Sequence, residues 1–159
     1  MDAPRRRKYV VVGGDDVPSL GVLEGDILRL LWEAGEGQSS VQVYDLMYFV
    51  RRAANQEMQS PSTIAVTLSR MVDKGLLTVE RRPHSAKGYY CPTKKRADVV
   101  LAVMDDVSLR LMGKPLAQVL NVLCSDAPLE NTEMAGFQDV LTSLRKLMLE
   151  SKESPQRVS

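Results

Sequence analysis

The feature that most constrains this fold is a change of hydrophobic period after Gly75. Upstream of that glycine, apolar residues recur at the spacing of one helix face. Downstream, residues 77–80 alternate as a half-buried strand requires, and residues 89–91 form a second short run of strand-forming residues. A basic, turn-rich segment joins the two runs. The sequence therefore predicts a β-hairpin directly after a helix.

Three amphipathic helices are predicted before this hairpin. The first begins after Gly21 as its N-cap, and the second after Ser39 or Ser40. The third has the clearest start, because Ser60 is a favoured N-cap and Pro61 costs nothing at the first helical position. Their buried stripes are predicted to be Leu23, Ile27, Leu30, Leu31 and Trp32, then Val43, Leu46, Met47 and Val50, then Ile64, Leu68, Met71 and Val72.

The remainder of the chain is predicted to be helical. Apolar stripes cover residues 95–112, 116–123 and 134–148, with breaks at Gly113 and over residues 126–131. The predicted organisation is a flexible basic N-terminal arm (1–18), a winged-helix domain (19–93), a helical dimerisation domain (94–150) and a polar tail (151–159). The fold class is accordingly mainly α: a winged helix-turn-helix of three helices and a hairpin wing, followed by a helical dimerisation region.

The charge distribution indicates a nucleic-acid partner. The whole chain has a formal net charge of +1, but residues 37–96 carry 10 Lys and Arg against 4 Asp and Glu, a net of +6. Residues 97–159 carry 6 against 9, a net of −3. Basic charge concentrated in the segment with the helix-turn-helix favours binding to double-stranded DNA.

The candidate DNA contacts lie at the start of the third helix and in the wing. In a helix-turn-helix, the second helix of the pair enters the major groove with its N-terminal residues. Small hydroxyl groups there suit phosphates, and small apolar groups suit thymine methyls. The alternative is that they are ordinary capping and solvated residues, and that the wing is a solubilising loop. The candidates are Ser60, Ser62, Thr63, Ala65, Val66, Arg70, Arg81, Arg82 and Lys87.

The C-terminal helices carry more apolar residues than a small separate domain buries alone. Such surfaces are usually interfaces, and a two-fold dimer is the common solution. The alternative is that these helices fold back onto the first domain of the same chain. The candidate dimerisation residues are Val103, Met104, Val107, Leu111, Leu116, Val119, Leu120, Leu123, Phe137, Leu141, Leu144, Leu147 and Met148.

Nothing in the sequence favours catalysis, a metal or a cofactor. His84 is the single histidine and has no second ligand or base beside it in the sequence. Cys91 and Cys124 are far apart, and both are predicted to be reduced and buried. No apolar run reaches the roughly 18–20 residues of a membrane helix, and no signal peptide follows the basic N-terminus. We therefore expect a cytoplasmic protein.

Several segments resemble the penicillinase-repressor (BlaI/MecI/CopY) family of winged-helix regulators. Residues 20–33, LGVLEGDILRLLWE, are similar to the family's first helix. Residues 63–77, which include LSRMVDKGLL, resemble its recognition helix and exit. Residues 80–82 followed by residues 89–92 are similar to its wing. The resemblance covers residues 19–150.

The resemblance implies a homodimeric bacterial repressor that binds palindromic operators. It places Ser62, Thr63, Ala65 and Val66 at groove-facing positions, and Arg70 matches the family's arginine in that helix. Ala65 stands where β-lactam repressors carry arginine, so the resemblance does not imply that this chain recognises the same operator sequence. The chain also has no cysteine-rich tail, as in copper-responsive members, and no Asn-Phe cleavage bond, as in β-lactam members. An effector or protease that releases the DNA is thus left unidentified.

The function predicted from the sequence is that of a non-enzymatic, homodimeric transcriptional repressor. It would bind a palindromic operator and exclude polymerase from the promoter. The alternative is a protein-interaction adaptor whose winged helix does not bind DNA. Loss of the basic residues in the third helix and wing would abolish affinity in a repressor and be tolerated in an adaptor.

Overall fold

A computed structural model describes residues 20–125 and 138–153 of the chain. Within these residues the elements are α1 (Val22–Ala34), α2 (Ser40–Ala53), α3 (Pro61–Asp73), β1 (Leu77–Arg81), β2 (Gly88–Pro92), α4 (Arg96–Met112), α5 (Leu116–Cys124) and α6 (Gln138–Glu153). The predicted fold class is confirmed: three helices precede a hairpin, and a helical region follows. The chain divides into two compact units, residues 1–103 and 104–159, so the division falls within α4. The sequence places that boundary at residue 93.

The ends of α1 and α2 are set by local hydrogen bonds. Gly21 is the N-cap of α1, and its N–H donates to the Glu24 carboxylate over 2.8 Å. Gly35 ends α1 in the left-handed conformation, with φ of 72°, which glycine adopts without steric cost. Of the two serines that were candidates for the second cap, Ser39 is the N-cap, and its N–H donates to Gln42 over 2.8 Å.

The first three helices pack around one core in the first unit. It contains the predicted stripes of α1, α2 and α3, and Trp32, Leu46 and Val50 cover its edge. Leu28 is also buried, although the helical stripe predicted for α1 omits it. The fully buried members are Ile27, Leu28, Leu31, Val43, Met47, Ile64, Leu68, Met71 and Leu77.

The two strands form an antiparallel hairpin that contacts both the core and the α1–α2 loop. Leu77 pairs with Pro92 at the base, and Arg81 pairs with Gly88 at the tip. A one-residue bridge between Gln38 and Tyr90 adds the α1–α2 loop to the sheet. Strand β1 is less buried than its alternating pattern predicts, because Leu77 is buried but Val79 is 44% exposed. The two-stranded sheet has too little covering structure to bury Val79.

Polar contacts at the turns of the second unit join its helices to one another. The Asp105 carboxylate accepts the Leu116 N–H over 2.7 Å, and Ser108 donates to the Lys114 carbonyl over 2.7 Å. Arg145 of α6 donates to the carbonyl oxygens of Val122 and Ser125, each over 2.8 Å. These bonds give hydrogen-bond donors to carbonyl groups at the C-terminal end of α5, where the helix supplies none.

Several predictions fall on residues outside the described ranges. These are the N-terminal arm 1–18, the loop 126–131, Phe137 and residues 154–159. The final helix is described from Gln138, and it extends to Glu153 rather than stopping at Glu150. Among the helices of the described ranges, none combines the length and hydropathy of a membrane span.

Candidate nucleic-acid interface

One face of α3 is exposed and carries several of the predicted base-contacting residues. Ser62, Val66, Ser69 and Arg70 follow the helical spacing and are all exposed. Val66 keeps 51% of its surface exposed although it is apolar, so it contributes little to the core. Ser69 was not among the predicted contacts. The sequence does indicate its position, because residue 69 lies one helical turn after Val66 on the face that begins with Ser62.

The start of α3 is built from three hydroxyl groups that bind one another. Ser60 is the N-cap and accepts the Thr63 N–H over 3.2 Å. Its Oγ also lies 3.0 Å from Ser62 Oγ and 2.8 Å from Thr63 Oγ1. Thr63 is half-buried in this network rather than exposed as predicted, and Ala65 is also half-buried. Ser60 and Thr63 therefore have a structural role in the cap, whereas Ser62 lies on the exposed face.

The basic residue on the α3 face is Arg70. Its side chain is exposed and forms no ion pair or hydrogen bond within the described part of the chain. An arginine with an unpaired guanidinium keeps all five N–H donors for a ligand. Guanine edges and phosphate oxygens are the acceptors that match this planar fork best.

The orientation of α3 is fixed at its C-terminal end by a contact that no motif in the sequence indicates. Lys74 is the C-cap, and its Nζ lies 2.7 Å and 2.9 Å from the two carboxylate oxygens of Glu24. Glu24 is 7% exposed and belongs to the first turn of α1. The pair is separated by fifty positions in the sequence, so no local pattern could reveal it. It ties the start of α1 to the end of α3.

The basic side chains of the wing differ in whether they contact other residues of the domain. Arg81 and Lys87 are exposed at the tip, and neither side chain has an ion pair within the described residues. Arg82 instead donates to the Gly37 carbonyl over 3.1 Å and lies 3.9 Å from the centre of the Tyr89 ring. His84, at the turn, is exposed with a positive φ of 63°.

Part of the positive charge of residues 37–96 is used inside the domain. Arg51 pairs with Asp26 over 2.7 Å, and Arg52 donates to the Tyr48 hydroxyl over 3.1 Å. Lys94, Lys95 and Arg96 are exposed where β2 leads into α4. The net charge of the segment therefore overstates the number of cations that the domain presents to a partner.

The predicted dimerisation residues that the structure describes fall into three groups, which are buried, half-buried and exposed. Val119 and Leu141 are buried within the second unit, where they form its own small core. Val103, Leu116, Leu123 and Leu144 are half-buried, and Phe137 lies outside the described residues. The exposed group is Met104, Val107, Leu111, Leu120, Leu147 and Met148. Leu101, Leu109 and Leu149 are also exposed but lie outside the predicted set.

The two cysteines are more accessible than predicted. Cys91 is half-buried on β2, and Cys124 is exposed at the end of α5. Burial raises the pKa of the Cys91 thiol, and the Glu80 carboxylate raises it further. No cluster of three or more histidine, cysteine or acidic residues suited to a metal occurs in the described ranges.

Comparison with known proteins adds one match to these observations. The family model described as Penicillinase repressor matches residues 20–143, which contain α1 to α5 and the start of α6. A search of curated proteins found no match. The matched span begins two residues before α1 and includes α3 and the β1–β2 hairpin, which carry the predicted DNA contacts. This chain therefore belongs to the penicillinase repressor family of DNA-binding transcriptional repressors.

Proposed function

We propose that this chain is a homodimeric repressor that binds a palindromic operator and blocks transcription by occupying the promoter. The observation that carries the proposal is the exposed face of α3, with Ser62, Val66 and Arg70 beside one another on a helix that is otherwise packed into the core. A rigid helix with one polar and basic exposed face is what major-groove recognition requires.

The roles of the interface residues follow from their surroundings. Arg70 would bind a guanine or a phosphate, and Val66 would contact a thymine methyl group. The exposed Ser62 hydroxyl would donate to a phosphate near the N-terminus of α3, where backbone N–H groups also favour anions. Arg81 and Lys87 would bind the sugar-phosphate backbone from the wing. Ser60 and Thr63 would support these contacts by holding the first turn of α3.

The second unit supports the dimeric part of the proposal. Its own core contains the buried side chains Val119 and Leu141, whereas Leu111 is 78% and Leu147 is 60% exposed. Apolar surface of this kind is stabilised by removal from water, at about 25 cal/mol per Å² buried. A second copy of the same unit provides a matching apolar surface, and its two-fold symmetry would match the palindrome.

The test is DNA binding by the purified full-length chain. We expect it to bind a fragment from its own upstream region more tightly than a scrambled fragment of equal length, and to do so as a dimer by light scattering. The affinity should fall steeply between two salt concentrations, because each neutralised phosphate releases counterions. Equal affinity for both fragments would contradict operator recognition. Absence of binding at low salt would favour the adaptor function.

A further inference from the structure

Arg82 has a set of contacts that the wing's other two basic side chains do not share. Its Nη2 atom donates to the Gly37 carbonyl over 3.1 Å and lies 3.8 Å from a Glu36 carboxylate oxygen. Its guanidinium carbon lies 3.9 Å from the centre of the Tyr89 ring, the distance of a stacked cation–π pair. One side chain thereby connects the tip of the wing, strand β2 and the α1–α2 loop.

The α1–α2 loop and the wing approach each other closely at this point. Gln38 donates its N–H to the Tyr90 carbonyl over 3.2 Å, and Tyr90 donates back over 2.8 Å. A Cβ atom added to Gly37 would lie 2.7 Å from Cys91 Sγ and 3.2 Å from Tyr89 Cβ. The backbone contact is therefore close enough to exclude side chains at residue 37. Two backbone hydrogen bonds between Gln38 and Tyr90 form this contact, and the bond from Arg82 to the Gly37 carbonyl lies next to them.

We propose that Arg82 is a positioning residue that locks the wing against the α1–α2 loop, so that Arg81 and Lys87 are the wing cations presented to DNA. The inference rests on the proposed function only for the DNA-facing roles of Arg81 and Lys87. The lock itself is a property of the unbound protein. It proposes a structural role for Arg82 in place of the phosphate-binding role that the sequence predicts.

The guanidinium is suited to this role in a way that an ammonium is not. Its flat face stacks on the ring of Tyr89 while an edge N–H donates to the Gly37 carbonyl. Lysine offers the same charge without the planar fork and stacking face. The variant Arg82→Lys therefore separates the two roles, because it retains a charge for a phosphate but removes the lock.

The first measurement is hydrogen exchange of the unbound protein. In Arg82→Lys, the amides of Gln38 and Tyr90 should exchange about three- to tenfold faster, the range that a surface cation–π pair and one charged hydrogen bond correspond to. Amides within α3 should exchange as in the wild type. Unchanged exchange at Gln38 and Tyr90 would overturn the proposal.

The partner ring gives a matched pair of variants that leave the charge of the wing unchanged. Tyr89→Phe keeps the ring and loses only the 3.5 Å contact of the hydroxyl with Ser85 Oγ, so Gln38 and Tyr90 should exchange as in the wild type. Tyr89→Leu removes the ring and should reproduce the part of the faster exchange that is due to stacking. Combining Tyr89→Leu with Arg82→Lys should add little to Arg82→Lys alone, since the arginine variant already removes that stacking. Independent, additive effects would show that Arg82 does not act through Tyr89.

The second measurement is the salt dependence of DNA affinity, with the adjacent arginine as control. Arg82→Lys should weaken binding but keep the wild-type slope of log affinity against log salt. Arg81→Gln should lower that slope by about 0.9 for each phosphate that the wing ceases to neutralise. Full affinity in Arg82→Lys, with a lowered slope in Arg82→Gln, would assign Arg82 to a phosphate and overturn the lock. If the wild type binds no DNA while the exchange differences are present, the proposed repressor function fails and the lock is supported.

Discussion

Arg70 shows how burial separates residues of the same helix into structural and functional ones. It lies one position before the fully buried Met71, yet its guanidinium is exposed and unpaired within the described residues. Arg70→Gln should weaken binding to the operator by about 1–3 kcal/mol if it contacts a base, and by less if it contacts a phosphate. The change in the free energy of unfolding should stay within about 0.5 kcal/mol, as for other exposed positions.

The matched control is Arg29→Gln, on a different helix of the same domain. Arg29 is a partly exposed arginine that pairs with Glu33 over 3.4 Å. Both variants lose one positive charge, so a general electrostatic effect would weaken binding equally. Equal losses measured by fluorescence anisotropy would show that Arg70 makes no specific contact.

The two thiols should differ in reactivity because only one is shielded. Burial and the Glu80 carboxylate raise the pKa of Cys91, which lowers its thiolate fraction at neutral pH. Cys124 is exposed. Iodoacetamide should therefore modify Cys124 first, and Cys91 should react appreciably only as the pH rises above the usual pKa of a thiol. Peptide mass spectrometry over a pH series measures both rates, and faster modification of Cys91 at neutral pH would contradict the expectation.

At the scale of elements, the ion pair between Glu24 and Lys74 determines how α1 meets the end of α3. Glu24→Gln should destabilise the domain by about 1–3 kcal/mol, since it leaves the Lys74 ammonium beside a neutral group in a partly buried site. Glu33→Gln is the control, because its pair with Arg29 is exposed and worth only about 0.3–0.5 kcal/mol. Urea unfolding of both variants measures the difference. Equal destabilisation would show that the contact between α1 and α3 depends on the apolar core alone.

At the scale of the whole molecule, the exposed apolar residues of the second unit predict that a charge introduced among them changes the oligomeric state. Leu147→Arg should convert the proposed dimer to a monomer without unfolding the chain, because Leu147 is 60% exposed and contributes little to the unit's own core. Thr142→Arg adds the same charge to another exposed face of α6 and should remain dimeric. Light scattering gives the mass, and circular dichroism reports folding. A dimeric Leu147→Arg variant would place the interface elsewhere.

Local chemistry determined most of the elements and their ends. The caps at Gly21 and Ser60, the left-handed glycine at residue 35 and the change of period after Gly75 each depend on neighbours within a few positions. Hydrogen bonds and steric limits of this range can be read from the sequence. For the same reason the order of three helices and a hairpin was predictable, and with it the fold class.

The tertiary structure decided which polar side chains remain available for a partner. Arg51 meets Asp26 across twenty-five positions, and Arg82 meets Gly37 across forty-five. Such contacts form only when distant parts of the chain pack together, so composition and periodicity carry no record of the pairing. The sequence by itself therefore determined the fold, its family and a basic domain, while packing decided that Arg70, Arg81 and Lys87 have no ion pair within the part of the chain that the structure describes. The physical reason is that burial and long-range contacts, which set the desolvation and pairing of each charge, exist only in the folded chain.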